Sequence, residues 1–280
     1  MPHLLDGRAM AQRIREKIKQ RIADQQLNVG LGVILVGDDP ASHLYVSLKQ
    51  KACEEAGIRF EKKVFLGDAS DGDIIEKINE WNGRGEITGI LVQLPLPSQD
   101  TDAIIGAIDP WKDVDGFHPE NLAALEEGRP GIASALGLGI MKLFVESGAQ
   151  NAGKTVIIGS RLFARSLTPL LRERSIVPAV LSPTDPSLAE KTKTADVLIV
   201  AVGQPNLISS SMVKPGAIVI DVGTTKVDGK IVGDVDFQTV SPLAGAITPV
   251  PGGVGPMTVA CLLMNILRAH QLQKSREIRT

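Results

Sequence analysis

Short apolar runs, several of them ending in glycine, alternate along this chain with stretches whose apolar positions recur at helical spacing. That alternation predicts strands and helices in turn. Residues 8–27 place Ile14, Ile18 and Ile22 on one face among basic positions and predict a helix. Residues 31–36 predict a strand closed by Gly37-Asp38-Asp39-Pro40. Ser42 is then the expected cap of a helix over about 43–56 that stops at Gly57. A strand over 58–66, a helix over 71–82 and a strand over 87–92, broken by Pro95 and Pro97, complete the first half.

The pattern restarts after Glu120. It predicts a helix over 137–147, a strand over 154–159, a helix up to Arg174 and a strand over 177–181. Two similar apolar strands follow, over 195–203 and 217–223, each marked by a glycine at its C-terminal end. Strands alternating with helices imply parallel sheets flanked by helices, with ligands outside the strand ends. The expected fold class is α/β: two α/β lobes with a cleft between them, the second a Rossmann-like dinucleotide-binding domain. The expected boundaries are 1–120 with 262–280 for a discontinuous catalytic domain, and 121–261 for the dinucleotide-binding domain.

The run Thr248-Pro249-Val250-Pro251-Gly252-Gly253-Val254-Gly255-Pro256-Met257-Thr258 holds three Gly and three Pro in eleven residues. Such a run is not expected to continue a helix or to sit inside a strand. It predicts a rigid loop, approached closely by other backbone or by a ligand, that feeds an apolar helix over 259–267. A loop leading onto a helix N-terminus suits a polar ligand edge or an anion.

Composition narrows the class. The chain has 280 residues, 43% apolar and 22% charged with signs interspersed, and a net charge of -2, as in a globular enzyme or binding protein. That charge and only 3% aromatics argue against a nucleic-acid partner. Cys53 and Cys261 read as small buried residues, and their spacing suggests no metal site. The chain does not begin like a secretory signal, and no window is long enough for a membrane span, so a cytoplasmic protein without a membrane partner is expected.

Five side chains carry candidate chemistry. Tyr45 and Lys49 are four apart on an expected helix and share a face. Gln93 ends a strand and is fixed by the prolines that follow. In Asp113-Val114-Asp115-Gly116 two carboxylates precede a glycine turn, which by itself reads as an ordinary acidic turn. Where such groups converge, a lysine can stabilise developing negative charge or, with a depressed pKa, move protons. His43 reads as a surface residue; Trp111 suits either a packing anchor or a ligand contact.

These stretches together resemble the bifunctional methylenetetrahydrofolate dehydrogenase/methenyltetrahydrofolate cyclohydrolase family. The matching segments are 36–42, 45–49, 91–97, 112–117, 233–237 and 248–258, in the family's order across nearly the whole chain. The resemblance implies oxidation of 5,10-methylenetetrahydrofolate with NADP, NAD also fitting, and hydrolysis of the methenyl product to 10-formyltetrahydrofolate. It assigns Lys49 the principal role in hydrolysis, Gln93 its orientation, and Tyr45 stacking against the folate. Asp115 binds the amino-pyrimidine edge, where a carboxylate accepts two N–H bonds. Pro251, Gly252 and Gly253 border the folate, and the assembly is a homodimer.

The dinucleotide lobe departs from that family. Its expected cofactor residues are Gly159, Ser160, Arg161, Arg165, Ser182, Gly203 and Thr224. The family's Gly-Arg-Ser stands here as Gly159-Ser160-Arg161, and Arg165 replaces a glycine. Arg165 can obstruct the pyrophosphate or pair with phosphate, and Arg161 or Arg165 can offer charge-assisted bonds to a 2′-phosphate. Ile132-Ala133-Ser134-Ala135 lacks the family's prolines, and Leu181 replaces a histidine. Three readings stay open on this ground: both activities, a cyclohydrolase with weak or no dehydrogenase activity, or a non-catalytic folate- or nucleotide-sensing relative.

Overall fold

The computed structural model describes residues 2–148 and 153–277. In chain order the elements are β1 (His3–Leu4), α1 (Gly7–Asp24), β2 (Gly30–Val36), α2 (Pro40–Ala56), β3 (Arg59–Phe65), α3 (Asp71–Asn82), β4 (Gly89–Val92), α4 (Thr101–Gly106), α5 (Pro119–Glu126) and α6 (Ala135–Glu146). Then come β5 (Thr155–Gly159), α7 (Arg161–Arg172), β6 (Ala179–Leu181), α8 (Leu188–Thr192), β7 (Val197–Ala201), β8 (Ile218–Asp221), β9 (Thr225–Val227), β10 (Lys230–Val232), α9 (Phe237–Val240), β11 (Ala246–Ile247) and α10 (Val254–Glu277). The chain forms two compact units: residues 12–135 with 259–280, and residues 1–11 with 136–258.

The first of these carries a three-stranded parallel sheet in the order β3-β2-β4. Every residue of β2 is buried, as its unbroken apolar run requires of a central parallel strand. The edge strand β3 carries Arg59, Glu61, Lys62 and Lys63, charges that discourage a further strand from pairing there. Trp81 on α3 is fully buried with Ile74 and Ile78, and a Cβ at Gly32 would lie 2.6 Å from its ring. Its indole N–H donates to Glu61 at 2.8 Å, so the polar edge of this core residue is satisfied.

The other unit carries a six-stranded parallel sheet ordered β1-β11-β8-β7-β5-β6. β6 lies on one side of β5 and β7 on the other, so the chain changes direction across the sheet at β5. The C-terminal ends of β5 and β7 are therefore the topological switch point of a Rossmann-like sheet. A separate hairpin, β9 with β10, turns through Asp228 and Gly229, both at positive φ.

Several local expectations change. Asp39, not Ser42, caps α2: its carboxylate accepts from the Ser42 amide at 2.9 Å and hydroxyl at 2.8 Å, and Pro40 takes the first turn. α10 begins at Val254, inside the Pro/Gly run, because Pro256 occupies a first-turn position that needs no N–H donor. The two-residue strand β1 pairs with β11, which puts residues 1–11 with the dinucleotide-type sheet and not with 12–135. His43 is half-buried with Nε2 3.2 Å from the Gly37 carbonyl, not a plain surface residue. Cys53 and Cys261 are both buried and form no disulfide. Among the described residues no helix is long and apolar enough to cross a membrane, and no cluster of His, Cys, Asp or Glu has metal-site geometry.

Candidate active site

α2 presents Tyr45, Lys49 and Cys53 at successive turns of one face, and β4 delivers Gln93 directly after its last residue. Lys49 Nζ donates to Gln93 Oε1 at 2.8 Å. The other end of the carboxamide is fixed too: Gln93 Nε2 donates to the Leu94 carbonyl at 2.7 Å, and its main-chain N–H donates to Ile34 in β2 at 2.9 Å. This leaves the amide oxygen, not the nitrogen, facing the lysine.

Electrostatics set the state of the amine. Burial holds the Lys49 pKa below the usual lysine value and outweighs the charge of Asp115, which pulls the other way. Burial likewise pushes the Asp115 carboxyl up to about 6, with Lys49 lowering it and Asp113 raising it. One turn from Lys49, burial pushes the Cys53 thiol up to about 12, so it stays neutral and offers no counter-charge. A half-buried amine and a half-buried carboxylate thus interact without a direct ion pair.

The two carboxylates of the Asp113–Asp115 turn have different work. Asp113 is buried and accepts from the Gly116 and His118 amides, at 3.0 and 2.8 Å, and from the Asn121 side chain at 3.0 Å. It is the organiser of the turn. Gly116 sits at φ 79°, and a Cβ there would lie 2.5 Å from the Ala133 carbonyl carbon and the Ser134 nitrogen. The neighbouring Lys112 is buried too, its ammonium donating to the Trp81 and Arg84 carbonyls at 3.0 and 2.8 Å, where it satisfies the C-terminal end of α3.

Asn265 was not anticipated. It lies in the apolar run of α10, is 3% exposed, and its Nδ2 donates to both Val114 and Ala133 carbonyls at 2.8 Å. It thereby ties the residue before Asp115 to the segment 132–135. Eight residues on, Gln273 repeats the device, donating to the Thr88 and Trp111 carbonyls at 2.8 and 2.9 Å. A carboxamide inside Leu-Leu-Met-Asn-Ile-Leu was the available signal, since a buried amide must find partners. Trp111 is held here by its backbone, and the Arg276 guanidinium lies 5.9 Å from its ring.

In the other unit, β5 ends at Gly159 and Ser160 caps α7, its hydroxyl accepting from the Phe163 amide at 3.1 Å. The Ser/Arg exchange thus places a hydroxyl at the position where helices favour one. Arg161 and Arg165 are exposed and one turn apart on α7. Ser182 and Thr184 follow β6 with hydroxyls 2.8 Å apart. Gly203 and Thr224 are exposed, and an added Cβ at Gly203 would meet nothing within 4 Å. Pro251 is exposed, whereas the Gly252 carbonyl accepts from Arg8 N–H at 2.9 Å and Gly253 N–H donates to Pro249 at 2.8 Å. The structure brings Lys49 and Gln93 into contact and Asp115 into their field; it distributes the cofactor candidates over the ends of β5, β6, β7 and β8.

Comparison with known proteins agrees with both halves. Residues 5–115 match the family model described as tetrahydrofolate dehydrogenase/cyclohydrolase, catalytic domain, and residues 134–274 match the corresponding NAD(P)-binding domain. A bifunctional protein FolD from Nitratiruptor sp. is 46% identical over 278 residues, covering 97% of this chain and 99% of the relative. The crystal structure of the bifunctional FolD enzyme from Campylobacter jejuni superposes with a TM-score of 0.92 at 41% identity, covering 98% of this chain and 100% of that one. The Trypanosoma brucei dehydrogenase-cyclohydrolase, solved with NADP cofactor and inhibitor, gives a TM-score of 0.92 at 32% identity over 100% of this chain and 99% of its own.

Proposed function

This chain belongs to the tetrahydrofolate dehydrogenase/cyclohydrolase family, and from that premise we propose that Lys49 carries its hydrolytic step. The protein is an oxidoreductase and hydrolase of one-carbon folate chemistry. It oxidises 5,10-methylenetetrahydrofolate to the methenyl form with a nicotinamide dinucleotide, then hydrolyses that product to 10-formyltetrahydrofolate. The observation that carries the role of Lys49 is its 2.8 Å bond to Gln93 Oε1 in a setting that depresses its pKa.

In the hydrolytic step water adds to the methenyl carbon and must lose a proton. A neutral Lys49 amine directs one N–H to Gln93, which leaves its lone pair to take that proton. The cationic substrate beside the amine disfavours the ammonium form further. The resulting ammonium returns its proton to the departing ring nitrogen, while the hydroxyl proton leaves to solvent as the formyl C=O forms. Asp115 accepts two N–H bonds from the amino-pyrimidine edge, and Tyr45 stacks on the pterin one turn from Lys49.

For oxidation the folate nitrogen lone pair expels hydride, so no side-chain base is required and the protein supplies alignment. NAD(P), when bound, supplies the hydride acceptor. The open space at Gly203 and the capped N-terminus of α7 fit a pyrophosphate, with Gly159 and Ser160 at its approach. We assign NADP over NAD because Arg161 and Arg165 offer charge-assisted bonds to a 2′-phosphate, with Ser182 and Thr224 as hydroxyl partners. Pro251, Gly252 and Gly253 border the folate, and the assembly is a homodimer. The edge strand β6, with Val180 47% exposed and Val177 before it 76% exposed, offers the apolar surface for it.

Lys49→Met tests the central assignment. Methenyl hydrolysis, followed by loss of absorbance, falls by roughly 10²–10⁴-fold, the usual contribution of a proton-transfer group, while reduction of NADP by methylene-folate persists. Unchanged hydrolysis overturns the role of Lys49. Folate binding with no turnover in the unsubstituted enzyme would point to the sensing reading instead.

A further inference from the structure

Asp221 and Asp234 are both nine-tenths or more buried in the dinucleotide-type unit, and neither has a part in the chemistry above. Asp221 ends β8. Its Oδ1 accepts from the Gly223 and Asp234 amides at 2.9 and 3.0 Å, and its Oδ2 from Val235 at 2.9 Å. Asp234, completely buried, turns Oδ2 towards β7 and accepts from the Val202 and Gly203 amides at 2.7 and 3.1 Å. Its other oxygen has no hydrogen-bond partner.

The same short segment holds the rest of the loop after β7. The Gly233 carbonyl accepts from Asn206 at 3.1 Å, the Asp234 carbonyl from Ile208 at 3.0 Å, and Asp236 N–H donates back to Ile208 at 2.9 Å. Residues 202–208 therefore take their shape from 233–236. The fit leaves no room for side chains: a Cβ on Gly223 would strike the Asp234 carboxylate, and one on Gly233 would strike that of Asp221. A carboxylate accepting two consecutive amides fixes the peptide planes on either side of Val202, the second of which leads into Gly203. Those planes lie at the switch point, beside the open face of Gly203.

We propose that Asp234 is a positioning residue for the dinucleotide: its carboxylate, seated by Asp221, fixes the Val202–Gly203 backbone against which the cofactor binds. The inference rests on the dehydrogenase reading for its ligand, although the clamp itself does not. A buried acid with one unpartnered oxygen is a costly arrangement, tolerated where the geometry it imposes is needed.

The experiment compares Asp234→Asn and Asp234→Ala in the full-length chain. Asp234→Asn keeps an acceptor for both amides, whereas Asp234→Ala removes it. For Asp234→Ala, the KM for NADP rises by roughly tenfold or more, on the scale of losing bonds to a charged group. Under dinucleotide-free conditions its methenyl hydrolysis stays within about twofold of the parent, as expected of a change confined to the other sheet. Asp234→Asn recovers most of the dinucleotide affinity. An unchanged KM, or a parallel loss of both activities in both variants, overturns the proposal. Amide hydrogen exchange separates this from failure of the functional reading. In Asp234→Ala the Val202 and Gly203 amides lose protection relative to Leu198–Val200 even if the parent turns over no dinucleotide, and retained protection sinks the clamp.

Discussion

The two units solve the problem of ligand recognition with different materials. In the unit containing Lys49, chemistry resides in side chains from separate elements: the amine on α2, the carboxamide after β4 and the carboxylate in the turn after Trp111. In the unit containing Asp234, the strand-end cofactor candidates are glycines and hydroxyl residues with two arginines on α7, and buried acids hold the backbone amides after β7 and β8. Proton transfer needs a titratable group of the right pKa, so the first unit must present one. Hydride transfer needs alignment alone, so the second can work through shaped main chain. The difference teaches where each unit is fragile: the first at individual side chains, the second at the supports under its loops.

The sharpest break in this comparison is at Gln93. Gln93→Glu puts a carboxylate where a neutral amide oxygen now accepts from Lys49. An adjacent negative charge favours the ammonium form, so the lysine pKa rises. If Lys49 moves protons as a neutral amine, hydrolysis near pH 7 falls by about 10–100-fold, one to two pKa units of lost neutral amine, and its pH–rate curve shifts to higher pH. If the ammonium acts only as a fixed charge, the same variant keeps or gains activity. A pH–rate profile of the two proteins decides between them, and the dehydrogenase KM for NADP should not move in either case.

Asn265→Ala probes support in the unit where side chains do the chemistry. It strips one donor from two carbonyls, Val114 and Ala133, that flank the Asp115 turn. Leaving buried carbonyls under-satisfied costs about 1–3 kcal/mol in urea unfolding, and the freed turn raises the folate KM by up to roughly tenfold. Dinucleotide affinity is unaffected. A variant that loses stability yet keeps the folate KM would show that Asn265 supports the fold and not the placement of Asp115.

This contrast also explains what could be read from the sequence. Lys49, Gln93 and Asp115 drew notice as a set through the family resemblance: taken singly, a lysine on a helix face and a carboxylate before glycine read as ordinary, and only the amide at a strand end stood out. The alternation of apolar runs gave both sheets, since parallel strands buried on two faces leave that mark. The short pieces β1 and β11 were missed, because two residues have no period and their pairing is non-local. The start of α10 was missed because a proline that breaks a helix interior is tolerated in its first turn. Asp221 and Asp234 look like ordinary strand-end acids; only burial and five accepted amide bonds reveal their task.

The smallest effect concerns pH and falls on Asp115. Burial holds its carboxyl at about 6 in the folded chain, well above the ordinary 3.8. The unfolded chain therefore releases this proton first as pH rises from about 4 to 6, and Asp115 lowers stability across that window. Folate recognition runs the other way, since only the ionised carboxylate accepts both N–H bonds. Tetrahydrofolate affinity, measured anaerobically by calorimetry, falls about twofold at pH 6 relative to pH 8 and steeply below, the half-ionised point of a single acid. Asp115→Asn binds more weakly at pH 8 but shows no inflection near 6, while NADP binding keeps its own pH dependence in both proteins. A parent curve that is flat from pH 5 to 8 would place the pterin-reading acid elsewhere. It would also weaken the contrast, because the folate unit would no longer depend on a titrating side chain at its recognition edge.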